Sequence, residues 1–362
     1  MTPAPTTYLP AFIRRAARPL AVAAMALGLG ALLSGCNEPE ATQKGFRGLG
    51  MEEVNSGRAL AAKIAAQQPP EVIPPGEAAG PRAKSLYPGL QVLGDLSETE
   101  FTRLMVAMTA WVAPGGIAGS DPGQGCSYCH NVENMADGSK YQHRTALRML
   151  EMTRKINTTW ANHVGETGVT CYTCHRGNPI PQDTWFTGAG RRQNLADLGG
   201  WIGWNNGQNQ PAQSTGRASL PSDPFTPLLQ YAETIRVTAP SAFPSAHAQS
   251  IQTTERTHAL MNHMSEGLGV SCVFCHNSRN FAGWADSPPA RAVAYHGIRM
   301  LRDVNSAYLD PLKATYPAEK LGPAGDAAKA NCATCHKGLQ KPLNGAPMLS
   351  DYPELGAPRP AQ

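Results

Sequence analysis

The chain has 362 residues, 41% of them hydrophobic and 16% charged, and a net charge of +4. That length holds two or three ordinary domains. The composition excludes a highly charged disordered chain and a coiled coil, and so small a charge argues against nucleic-acid binding.

The N-terminus comes first. Arg14, Arg15 and Arg18 form a basic start, and Leu20 to Leu33 is an apolar run of 14 residues. It is shorter than the ~20 residues of a membrane span and suits a signal sequence. It ends in Leu33-Ser34-Gly35-Cys36, which reads as a lipoprotein signal over 1–35, removed by cleavage before Cys36. The Cys36 thiol then carries the lipid, and each buried CH₂ contributes about 0.8 kcal/mol to membrane binding. An uncleaved membrane anchor is the other reading of this run. Cleavage removes three arginines, so the mature chain is near neutral and a basic patch is not its main tether to the membrane. The compartment is outside the cytoplasm, where free thiols oxidise.

Residues 36–95 read as a lipid-anchored extended segment. Ser97-Glu98-Thr99-Glu100 is a capping box that opens a helix over 98–112, stopped near Pro114-Gly115. Cys126-Ser-Tyr-Cys129-His130 follows. Ser139 with Gln142 opens a second helix, to about Asn157, ahead of Cys171-Tyr-Thr-Cys174-His175. The stretch 177–246 is rich in Gly, Asn, Gln and Pro and reads as an extended connection. A third helix runs over about 248–265, ends at Gly267 and precedes Cys272-Val-Phe-Cys275-His276. Ser287 with Pro288 and Pro289 opens a fourth, to about Tyr308, ahead of Cys332-Ala-Thr-Cys335-His336.

Each C-x-x-C-H is an attachment sequence for c-type haem: two thiols add to the vinyl groups and the following His is placed to bind the iron. Zinc would pair C-x-x-C motifs without needing a His after each. Redox-active cysteine pairs do not fit four motifs in an exported lipoprotein. Eight thioethers for four covalent haems use every cysteine except Cys36, which predicts no disulfides. The first and third motifs read C-x-[Y/F]-C-H-N. The second and fourth read C-x-T-C-H-[R/K]-G. Leu147-Arg-Met149-Leu150 matches Ile298-Arg-Met300-Leu301, and each is followed by an Asn, Asn157 and Asn305. This is an internal repeat. It predicts two related two-haem units, 96–184 and 247–345, with a loop-rich 185–246 between them and a tail at 346–362. The fold class is mainly α with extensive loops, a multihaem cytochrome c of pseudo-twofold units with haems forming much of the core.

Three helices carry Met-x-x-Met: Met105 and Met108, Met149 and Met152, Met261 and Met264. Such pairs share a helix face and are usually plain core. Three of them before three haem motifs favour iron ligation by one Met of each pair, and spacing does not choose which. The fourth helix has Met300, but residue 303 is Asp.

At this point the chain resembles the tetrahaem cytochrome subunit of the purple-bacterial photosynthetic reaction centre. The resemblance is carried by Phe101 to Trp111, Arg148 through Asn157 to Gly177, Gly297 to Asp303, and Asp351-Tyr-Pro-Glu-Leu-Gly356. It covers about 95–356 and departs at Gly115–Gly125, longer than the family pattern. The resemblance implies Met105 with His130, Met149 with His175, Met261 with His276, and a bis-His haem held by His163 and His336. The repeat alone would nominate Met300 instead of His163. His143, His247, His258, His263 and His296 have no assigned role. The resemblance further implies an electron carrier, not an enzyme, lipid-anchored at the periplasmic face of the photosynthetic membrane. It would take electrons from a soluble donor, a cytochrome c or high-potential iron–sulfur protein, and reduce the photo-oxidised bacteriochlorophyll pair of the core. The alternatives are a free-standing periplasmic multihaem carrier and a multihaem reductase, which needs an iron with an open face.

Overall fold

The computed structural model describes residues 39–44, 51–114, 125–187, 215, 217–239 and 249–359. Among these the chain is mainly helical, with long loops and one two-stranded sheet. β1 (Pro39–Gln43) pairs antiparallel with β2 (Glu52–Ser56), Pro39 opposite Ser56. Ser56 then caps α1 (Gly57–Ala65) by accepting from Ala59 N at 3.3 Å.

Four long helices follow. α2 (Glu98–Val112) starts at the expected capping box: Ser97 Oγ accepts from Glu100 N at 3.2 Å and Glu100 Oε2 accepts from Ser97 N at 2.9 Å. α3 (Tyr141–Thr159) starts without a side-chain cap. The expected Ser139–Gln142 box does not form, because Asp137 takes both the Ser139 amide and hydroxyl at 2.8 Å. α4 (Ile251–Leu268) is capped by Ser250, later than expected. It runs past Gly267 and stops at Gly269, whose φ of +65° is the left-handed conformation that ends helices. Gly267 is instead a contact point, since a Cβ there would stand 3.1 Å from Ala333 N. α5 (Ala290–Asp303) has Pro289 as its N-cap. Ser287 does not cap it: it donates to Gly283 O at 2.6 Å and accepts from Arg291 at 2.7 Å. The chain continues as a π-helical turn over Val304–Leu309.

Three apolar clusters hold these helices. α2 contributes Leu104, Ala107 and Trp111 to the first, with Leu150, Cys171, Tyr352 and Leu355. Leu260 of α4 and Ile298 and Leu301 of α5 meet Trp185, Phe225, Leu228, Leu229 and Cys332 in the second. Ile156, Val169, Met300 and Val304 form the third, which joins α3 to α5. The C-terminal segment closes over α2. Tyr352 packs edge-on against Trp111, ring centroids 4.5 Å apart, and lies under the Arg103 guanidinium. Arg103 reaches Glu354 at 2.6 Å, both side chains buried.

The matched asparagines do the same work in each half. Asn157 donates to Val169 O at 2.9 Å and accepts from Val169 N at 2.8 Å. Asn305 donates to Ala330 O and accepts from Ala330 N, both at 2.9 Å. Each amide thus stands in for a strand partner and fixes the segment entering the next C-x-x-C-H.

Candidate haem-binding sites

The four motifs adopt two local conformations. Cys171–His175 and Cys332–His336 are single helical turns. The residue before each donates its N–H to the hydroxyl three positions on: Thr170 to Thr173 at 3.0 Å, Asn331 to Thr334 at 2.9 Å. Arg176 and Lys337 then take left-handed conformations, both with φ +50°, and Gly177 and Gly338 follow at φ +80° and +79°. The first and third motifs are followed instead by asparagine-closed loops, with bridges Asn131–Asn134 and Asn277–Asn280.

All four motif histidines share one device. Nδ1 of His130 lies 2.7 Å from Met135 O, and Nδ1 of His276 lies 2.9 Å from Phe281 O. Nδ1 of His175 lies 2.8 Å from Asn178 O, and Nδ1 of His336 lies 3.0 Å from Leu339 O. A carbonyl can only accept, so Nδ1 carries the proton and Nε2 presents its lone pair. This is the tautomer and orientation a metal-binding imidazole needs. His163 uses the same device, with Nδ1 3.0 Å from Val293 O of α5. Its ring centroid lies 6.0 Å from that of His336. Burial, helped by the nearby His163 charge, pushes the His336 pKa down to about 4, so its imidazole is neutral at ordinary pH.

The neighbours of His163 explain its place. Trp160, on the same turn, donates to Asp303 Oδ2 at 2.9 Å. Asp303 stands where a second Met would complete Met-x-x-Met on α5. The His163 ring lies against Gly297, one turn before Met300. Met300 itself is buried in the cluster between α3 and α5.

Cys171 and Cys332 are buried, Cys272 is exposed, and the other motif cysteines lie between. Burial raises Cys171 and Cys332 to about 12, and Cys129 and Cys275 to about 11. None of the eight described cysteines forms a disulfide. Among the described residues no three His, Cys, Asp or Glu side chains converge on a metal position. Cys174 Sγ and Cys335 Sγ are 2.7 Å apart, and Arg176 donates to Cys335 O at 3.3 Å, so the second and fourth motifs lie side by side.

Met105, Met149 and Met261 are each half-buried on their helices. Met105 and Met108 pack on the first cluster, Met261 and Met264 on the second, and Met152 on the third. Thr109, one turn after Met105 and bonded to its carbonyl at 2.9 Å, lies 3.9 Å from Cys126 Sγ. The Met105 face of α2 therefore looks at the first motif. Burial does not separate the two methionines of a pair. Cys36 and His247 lie outside the described residues.

Two residues without an assigned role sit against site residues. His143 packs edge-on against His130 with centroids 5.2 Å apart, and burial followed by the His130 charge lowers its pKa. Gly297 carries the His163 ring. Neither has a sequence signal: His143 has no equivalent in the other half, and a helical glycine reads as a weak spot.

Paired thiols, each pair followed by a carbonyl-oriented imidazole, are the donor set of a c-type cytochrome. The profile described as "Photosynthetic reaction centre cytochrome C subunit" matches residues 36–356. The chain is 48% identical over 340 residues to the photosynthetic reaction center cytochrome c subunit of Rubrivivax gelatinosus, covering 93% of this chain and 89% of the relative. It is 42% identical over 341 residues to that of Thermochromatium tepidum, covering 94% and 81%. It is 41% identical over 285 residues to that of Roseobacter denitrificans, covering 75% and 73%. The chain belongs to the family of photosynthetic reaction-centre cytochrome c subunits.

Proposed function

We infer that the chain carries four covalent c-type haems and relays electrons from a soluble periplasmic carrier to the photo-oxidised bacteriochlorophyll pair. The electron-transfer role in the photosynthetic reaction centre follows from family membership. The observation that carries the finer reading is the shared histidine geometry: five imidazoles, each with Nδ1 on a backbone carbonyl and Nε2 left to bind iron. His163 and His336, with ring centroids 6.0 Å apart, are the pair that would hold one iron between them.

Covalent haem supplies a one-electron couple at each motif. The residues set its level: Met/His ligation raises a haem potential, and two imidazoles leave it lower. His130, His175 and His276 would take Met105, Met149 and Met261 as partners; His336 would take His163. Each motif would then have two ligand side chains for its iron, which suits an electron carrier. The contact of Cys174 with Cys335 supports a row with the second and fourth motifs in the middle. The His276 site would lie at the end nearest the bacteriochlorophyll pair and the His130 site at the far end.

Lipid on Cys36 would hold the subunit at the periplasmic membrane face, against the reaction-centre core. The family match beginning at residue 36 supports a mature chain that starts there. Among the described residues no helix is long and apolar enough to cross a membrane. The test is a pyridine haemochrome assay with a redox titration of the purified protein. Four haems per chain in separable waves, with no carbon monoxide binding after reduction, are expected. Two haems or fewer per chain would overturn the reading.

A further inference from the structure

The third motif starts differently from the other three. Thr170 and Asn331 satisfy their N–H groups within their own motifs, and Gly125 donates to Ala113 O at 2.8 Å. Ser271, just before Cys272, donates its N–H to Glu53 Oε1 at 2.6 Å and its hydroxyl to Glu53 Oε2 at 2.8 Å. Glu53 lies on β2, 218 residues away in sequence. It is 5% exposed, and Met51, two positions before it on the same face, is 1% exposed, while Val54 on the opposite face is 59% exposed. The hairpin touches the motif a second time, with the Lys44 ammonium 5.3 Å from the Phe274 ring centroid. Among the described residues no ion pair to Glu53 is formed, so its carboxylate is held by a hydroxyl and an amide alone.

A carboxylate is a costly way to tie a hairpin to a loop. Burying charge without a cation carries a desolvation penalty, and a neutral amide could also bond Ser271 twice, accepting from its N–H and donating to its hydroxyl oxygen. What the carboxylate adds is a fixed negative charge beside the haem attachment site.

We propose that Glu53 is a positioning residue of the third haem site, holding the start of Cys272–His276 and lowering that haem's potential through its buried charge. The proposal rests on the haem reading above. A ferric haem carries one more positive charge than a ferrous one, so a nearby carboxylate favours the oxidised state. Acting at the end of the row assigned to the bacteriochlorophyll pair, Glu53 sets the driving force of the last electron step. It also couples that site to the hairpin that begins three residues after Cys36.

The test is a redox titration of the intact four-haem protein. The wave of the third haem is first identified as the one displaced in Met261→His. Glu53→Gln keeps the shape, still accepts from the Ser271 N–H, donates to the Ser271 hydroxyl in place of accepting from it, and removes the charge. It should raise that wave alone, moving the reduction equilibrium about tenfold, which is 59 mV for one electron. Ser271→Ala keeps the charge and loses one hydrogen bond, and should leave the wave in place. Hydrogen exchange over 269–275 should match wild type in Glu53→Gln and quicken in Glu53→Ala. A third-haem wave unmoved in Glu53→Gln, or moved equally by Ser271→Ala, overturns the proposal while the haem reading stands. Fewer than four haems in the wild-type protein would instead remove the reading beneath it.

Discussion

The imidazole of His163 fills the space where residue 297 would carry a side chain: a Cβ on Gly297 would stand 2.5 Å from His163 Cε1 and 2.8 Å from Nδ1. The repeat aligns Gly297 with Ala146, so one half keeps the methyl and the other gives it up. Gly297→Ala should therefore lose stability by about 1–3 kcal/mol from overpacking. In an open helix interior the same change would gain roughly 0.8–1 kcal/mol. The sign of the change in denaturation midpoint separates the two. A displaced His163 should also weaken the bis-His signal in the electron paramagnetic resonance spectrum.

His163 and Met300 compete for one role. His163→Met should convert a bis-His iron into a Met/His iron, abolish the bis-His signal and raise the lowest potential. Met300→Leu should do neither, at a cost under about 1.5 kcal/mol, because Met300 is buried among Ile156, Val169 and Val304. A spectrum that responds to Met300 and ignores His163 would return the site to the ligand scheme of the repeat.

Met261→His should lower the potential of a single haem and slow re-reduction of the bacteriochlorophyll pair after a flash. If all four potentials stay put, Met264 takes its place as the ligand, since both methionines pack on the same cluster.

The Arg103–Glu354 pair is buried on both sides. Glu354→Gln leaves the guanidinium without its counter-charge, and breaking a buried pair costs about 3–5 kcal/mol. Arg103 retains the carbonyls of Ile73 and Asp351, so the low end of that range is expected from denaturant unfolding. Glu233→Gln is the control. Its pair with Arg256 is exposed and 3.6 Å long, and its loss should cost under about 1 kcal/mol.

Acid should loosen the join between the C-terminal segment and the first half. Burial alone would raise the Asp95 pKa, but the Arg154 fork and the Arg359 amide outweigh it and leave it lowered. Glu100, facing Arg359, is lowered in the same way. A carboxylate with a depressed folded pKa contributes stability that is complete above its unfolded value, about 4, and is lost as pH falls through the folded value. Denaturation midpoints should therefore drop as pH falls below about 4, and Asp95→Asn should flatten that dependence. A midpoint equally steep in the variant would remove Asp95 as a cause.

Much of the site was legible before any coordinate. The spacing of C-x-x-C-H carries haem chemistry because both thiols and the imidazole must reach one macrocycle from a single turn. The helix start at Ser97 was legible because capping is a contact over three residues. The starts at Ser139 and Ser287 misled for the same local reason: Asp137 and Arg291 offered those hydroxyls better partners. Gly267 looked like a helix stop, yet the helix runs through it because α4 needs a bare backbone against Ala333. The choice of His163 over Met300 needed the family likeness, because the repeat pointed the other way.

By itself, then, the sequence determined the local pattern: the four C-x-x-C-H motifs, their doubling and the capped helix start at Ser97. All of these depend on residues a few positions apart. The tertiary structure decided which distant groups meet: His163 against Gly297, Cys174 against Cys335, Glu53 under Ser271 and the tail over Arg103. Those contacts span 134 to 251 residues of chain. They depend on shape, burial and unpaired hydrogen-bonding groups brought together only by packing, and no short pattern records them.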